Sequence, residues 1–139
     1  MHAGYELVDH TADIGVHAWG LTPADVFEQA AQALFSLVCD PREIAEKESL
    51  EVTIEADAPD LLLAAWLNEL LYIFETRSLV LSQFQILEIG ERSLHAKLIG
   101  ELLDPRRHTM CGGVKAATLH ELFLKPREGG WEGFVIFDV

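Results

Sequence analysis

The 139-residue sequence is half hydrophobic and carries 23 acidic against 10 basic side chains, a formal charge of −13. A chain of this size suits a single domain, 1–139, that buries about two-thirds of its unfolded surface, and its charge as a whole repels phosphate backbones and disfavours direct, tight nucleic-acid binding. The longest apolar run, Leu61 to Leu67, is far shorter than the ~20 residues of a membrane span, and the opening MHAGYELVD has neither region of a secretory signal, so a soluble, cytoplasmic protein is expected.

In chain order, YELVD and IGVHAWG predict a strand interrupted or turned near HTAD, with Ile14, Val16 and Ala18 alternating against Gly15, His17 and Trp19. The next segment has a start signal: Thr22 as N-cap, Pro23 in the first helical position and Asp25 three residues after the cap. Val26, Phe27, Ala30, Leu34, Phe35 and Val38 then form one apolar stripe, which predicts a core-facing helix over about 23–39. LEVTIEA, residues 50–56, alternates as a strand. After Pro59 comes a segment apolar around much of its circumference, which predicts a more deeply buried second helix. Residues 84–100 predict a hairpin turning near Gly90 and Glu91.

Residues 101–113, ELLDPRRHTMCGG, break the pattern and read as a long mobile loop. A C-terminal hairpin follows, VKAATLHELFLK and WEGFVIFDV joined by PREGG. The expected architecture is α+β, a mixed, largely antiparallel six-stranded sheet with two helices packed on one face, because two helices cannot cover both faces of such a sheet. Cys39 at a helix end and Cys111 in the loop show no CxxC spacing and are expected as reduced thiols.

No Walker loop, dinucleotide fingerprint, GxSxG elbow or HExxH is present. What remains is a set of carboxylates and histidines with ordinary alternative roles. Asp9 and Asp13 suit turn residues around HTA, His10 a hydrogen-bonded structural imidazole, His120 a satisfied core imidazole, and Lys115 an edge-strand lysine that blocks aggregation. Asp138 fits such a role less well. Burying it unpaired in a final strand, followed only by Val139 and its α-carboxylate, would cost several kcal/mol. If the first strand lies beside the last, Asp13 adds a third group of oxygens, a set suited to a hard cation such as Ca²⁺ or Mg²⁺.

The stretch DHTADIGVHAWGLTPADVFEQAAQALF resembles the N-terminal signature of the archease family, and VKAATLHELFLK with GWEGFVIFDV resembles its C-terminal signature. Gly113 stands where the family has an acidic residue two positions before the lysine, and Leu119 where it has an aromatic before the histidine. The resemblance implies a small fold of strand-helix-strand-strand modules, one inserted into or duplicated upon another. It implies an accessory factor of the RtcB-type RNA ligase, which joins RNA ends after guanylylation on a histidine with GTP and Mn²⁺. The factor would promote that guanylylation and multiple turnover in tRNA splicing and RNA repair, and would not itself be an enzyme.

Carried onto this sequence, the resemblance implies Asp13, Asp138 and Val139 as ligands of a divalent cation, Ca²⁺ ahead of Mg²⁺ or Mn²⁺. It implies Lys115 and His10 as contacts to the partner or its nucleotide site. A reading from another class is a metal-dependent hydrolase of a small phosphorylated substrate, against which stands the lack of an evident nucleophile or base beside the acids. A third, a structural chaperone, needs only surface contacts.

Overall fold

A computed structural model describes residues 2–10 and 13–139, with only the backbone of His10. Two strands open the chain, β1 (Gly4–His10) and β2 (Asp13–Gly20), before helix α1 (Pro23–Val38) and a single 3-10 turn at Pro41–Glu43. Then come β3 (Glu48–Glu55), α2 (Pro59–Arg77), β4 (Leu79–Ile89), β5 (Ser93–Leu102), the two-residue β6 (Ala116–Ala117), β7 (Phe123–Arg127) and β8 (Gly130–Asp138).

The first helix starts where the sequence predicts. Thr22 accepts from the Asp25 N–H, and the Asp25 carboxylate accepts from the Thr22 N–H, a reciprocal capping box with Pro23 just inside it. The second helix lacks a side-chain cap at Ala58 and ends on Ser78 in the left-handed region, φ 53°. It is held instead by burial of Leu62, Leu63, Trp66, Leu67, Leu70 and Ile73. The Trp66 indole N–H donates to the Phe27 carbonyl at 2.9 Å, which satisfies its polar atom and ties the two helices together.

The strands divide into two sheets rather than the single sheet expected, and every pairing between described strands is antiparallel. One sheet runs β1-β2-β8, with β6 on the final residues of β8 and β7 on its first half; the other runs β3-β5-β4. The second sheet and α2 come from one continuous stretch, 48–102, inserted between α1 and β6. Both helices touch strands of both sheets. A helix apolar around most of its circumference needs apolar layers on more than one side, and the second sheet supplies one. Gly100 lets β5 approach β4: a Cβ there would lie 2.0 Å from the Val80 carbonyl oxygen.

Candidate functional site

Strand β2 begins where β8 ends. The register pairs Ile14 with Phe137, Val16 with Val135 and Ala18 with Gly133, and it sets Asp13 opposite Asp138. Residues directly opposite each other share a face. Val16, Val135 and Phe137 belong to the core, so alternation turns Asp13 and Asp138 to the other face, away from it. Asp13 is half-buried and Asp138 exposed. The expected cost of burying Asp138 therefore does not arise. Its unusual feature is a second carboxylate directly across the ladder, an arrangement that destabilises unless a cation intervenes.

The register itself is held on that same face. His17 of β2 reaches Glu6 of β1 at 3.3 Å through Nδ1 and Glu132 of β8 at 2.9 Å through Nε2, spanning three strands. Its ring lies 5.3 Å from that of Trp19. Closer to the acids the Phe134 ring lies over Gly15, where a Cβ would come within 2.8 Å of Cζ. A one-residue slip would break these contacts and move Asp13 to the core face.

Lys115 sits on the other side of Asp138. It lies just before β6 rather than inside a strand, exposed, and its backbone N–H donates to the Asp138 carbonyl at 2.8 Å; Ala116, the next residue, is the register partner of Asp138. Among the described residues, the carboxylates of Asp13 and Asp138 and the ammonium of Lys115 form no ion pair with one another or with any other group. His10 occupies the register position opposite Asp13 on β1, and its side chain lies outside the described residues, as do Thr11 and Ala12 of the same motif. Val139 is 40% exposed beside Asp138. No three His, Cys, Asp or Glu of the described residues are arranged to hold a metal ion. Two facing carboxylates with no ion pair among the described residues are nevertheless oxygen donors of the kind that could hold a hard cation, with Val139, backbone and water as further possible donors.

Three sequence expectations change here. His120 is exposed rather than a core imidazole, with its Nε2 3.7 Å from Glu121. Asp9 and Asp13 are strand residues, the former paired with Ile14. The segment after β5 is irregular but anchored rather than free. Glu101, 3% exposed, receives the Ala45 N–H and the Arg107 guanidinium. His108 accepts the Asp104 N–H on Nδ1 at 2.8 Å, so its proton sits on Nε2, buried and 3.2 Å from Glu101 but bent off the hydrogen-bond line. The Ala45 N–H foremost, with His108 and Arg107 after it, holds the Glu101 carboxyl below the usual range despite its burial. Further along, the Thr109 N–H donates to Glu43 at 2.7 Å and the Cys111 N–H to the Val38 carbonyl at 3.0 Å.

A second anchor lies at β6. Asn68 of α2 accepts the Ala117 N–H on Oδ1 at 2.8 Å and donates from Nδ2 to the Ala117 carbonyl at 3.1 Å. The sequence does contain its signal: Asn68 is one of the few polar residues between Leu61 and Phe74.

A model of the Archease protein family matches residues 5–139. The chain belongs to the archease family. It is 38% identical over 139 residues to protein archease of Methanosarcina mazei, covering 97% of this chain and 95% of that one. It is 32% identical to protein archease of Pyrococcus furiosus, covering 97% and 98%. Among solved structures it is similar to Methanobacterium thermoautotrophicum protein 1598, with a TM-score of 0.85, 31% identity and coverage of 98% and 99%. It also shares a fold with an archease from Thermotoga maritima described as a possible chaperone, at a TM-score of 0.61, 19% identity and 96% coverage of each.

Gly113 and Leu119, the two positions expected from the resemblance to depart from the family pattern, are both exposed. They flank the Lys115 segment without supporting the core. Cys39 and Cys111 are both free thiols, the first buried and the second exposed.

Proposed function

We propose that this archease-family chain is a cytoplasmic, non-enzymatic accessory protein of an RtcB-type RNA ligase, and that it acts through a divalent cation held at Asp13 and Asp138. Ca²⁺ is the first choice of cation, with Mg²⁺ or Mn²⁺ as alternatives. The observation that carries this reading is the direct pairing of Asp13 with Asp138, two like charges that leave one face of the sheet in want of a cation.

Asp13 and Asp138 would supply charged oxygens and Val139 further ones, while the cation supplies positive charge at the end of an otherwise acidic protein. Lys115, tethered through its backbone to the carbonyl of Asp138, presents three N–H donors beside the same end of the sheet. An ammonium there can take a phosphate oxygen of the partner's nucleotide, and His10, opposite Asp13 in the register, belongs to the same end. A net charge of −13 suits a factor that docks on a basic protein surface and leaves the RNA to the ligase. To accelerate guanylylation, these contacts must be stronger in the ligase state that precedes nucleotidyl transfer than in its resting state.

The deciding measurement is guanylylation of the ligase from GTP with this chain at a sub-stoichiometric ratio. More than one guanylylated ligase per chain supports the proposal, and a yield unchanged by the chain removes it. Hydrolysis of small phosphate esters by the chain alone would instead favour the hydrolase reading.

A further inference from the structure

Strand β6 is two residues long and lies at the margin of its sheet, with β8 on one side. A strand so short has little hydrogen bonding of its own to fix it. On its other side no described strand pairs with it. There the Asn68 carboxamide takes both backbone groups of Ala117, the N–H at 2.8 Å and the carbonyl at 3.1 Å, and so replaces a neighbouring strand with a single side chain. Lys115 stands two residues earlier and is held on the β8 side by its N–H bond to Asp138. The segment bearing the lysine is thus fixed from two directions, by the end of β8 and by α2.

We propose that Asn68 is a positioning residue for Lys115: by pinning Ala117 to α2 it fixes the Lys115 segment against Asp138. The proposal rests on the reading of Lys115 as a contact to the ligase. Asn68 is itself exposed, while Leu67 and Leu70 beside it carry the packing of α2, so its side chain can be removed without opening the core. Alanine also has a higher helix propensity than asparagine, which favours retention of α2 in the variant. A purely structural alternative exists, in which the carboxamide covers a bare strand edge against association with other chains. Substitution separates the two roles, because only the first makes the effect of Asn68 depend on Lys115.

Two measurements on the full chain test the proposal. In Asn68→Ala, hydrogen exchange at the Ala117 amide should rise roughly ten-fold, as expected for loss of a hydrogen bond that gates local opening, while exchange in α1 and β5 stays unchanged. Asn68→Asp keeps an acceptor for the Ala117 N–H but sets an anion against its carbonyl, so it should protect that amide only in part. Stimulation of ligase guanylylation should fall in both variants, and Asn68→Ala should add little to the loss already caused by Lys115→Ala, because one acts through the other. Unchanged exchange at Ala117, or losses from Asn68→Ala and Lys115→Ala that simply add, overturns the proposal. So does a fully active Asn68→Ala in a system where Lys115→Ala is damaging. If Lys115→Ala has no effect, the reading of Lys115 falls first and this proposal with it.

Discussion

Asp13 and Asp138 are direct partners across β2 and β8, so two carboxylates from opposite ends of the chain share one face of the sheet. The strands that carry them are held by Val16, Val135 and Phe137 on the core face and by His17 bridging Glu6 and Glu132 on the other. The acids themselves contribute repulsion to this pairing. Their juxtaposition is a cost that the rest of the sheet carries, as expected of a site rather than of a structural pair.

Replacing one acid therefore separates stability from binding. Asp13→Asn should leave the fold intact and, without added metal, should be as stable as the parent or more stable by about 0.2–1 kcal/mol, the usual scale of a cross-strand charge effect. The parent chain should gain thermal stability on addition of Ca²⁺, by about 2.7 kcal/mol at a hundred-fold excess over the dissociation constant. Asp13→Asn should show little of that gain. Calorimetric melting of both proteins with and without Ca²⁺ checks this, and equal gains in the two would remove Asp13 from the site.

Lys115→Ala should behave in the opposite way. An ammonium donates and cannot ligate, so the variant should retain the whole Ca²⁺-dependent rise in melting temperature while losing stimulation of the ligase. Loss of the Ca²⁺ effect in this variant would show that Lys115 supports the acid pair rather than the partner contact.

Glu101 sets an acid limit. Its carboxyl is held below the ordinary range, first by the Ala45 N–H and then by His108 and Arg107. Because the folded state depresses the value, this contribution to stability is present above the unfolded carboxyl value of about 4.3 and is lost as pH falls through the lower folded value. Melting temperature measured from pH 6 to pH 2 should fall more steeply for the parent than for Glu101→Gln, most of the difference arising below about pH 4. Glu101→Gln should also be less stable at pH 7, where it leaves the Arg107 guanidinium without its buried counter-charge. Parallel pH profiles would show that the carboxylate does not anchor the 103–113 segment.

The two thiols should differ in reactivity. Burial pushes the Cys39 thiol up to about 11, with Cys111 and nearby acids adding to the effect, so Cys39 remains a thiol at neutral pH. Cys111 is exposed. Iodoacetamide at pH 8 should add one group per native chain, on Cys111, and two after denaturation, as read by mass spectrometry. Rapid native labelling of Cys39 would show that the end of α1 opens readily.

The sequence alone determined what neighbouring residues can decide. Thr22, Pro23 and Asp25 lie within one helical turn, so the capping box that starts α1 was legible before any fold was known. The hairpin of β4 and β5 turns at Gly90, where the alternation breaks, and the family signatures near Asp13 and Lys115 pointed to the residues at the candidate site. The tertiary structure decided everything that depends on which distant strands become neighbours. Alternation does not say which sheet a strand joins, so the division into two sheets, with α2 packed against strands of both, could not be read from it. The same holds for the face and exposure of Asp138, which looked like a buried charge until the pairing of β8 with β2 turned the last residue of that strand away from the core. The pairing of Glu101 with Arg107 and His108 was illegible for a related reason, and so was the partner of Asn68, a polar residue visible in the apolar run of α2 whose bond to Ala117 was not. Polar groups that satisfy one another across the fold leave no periodic signal, because the partner of each is set by packing and not by spacing along the chain.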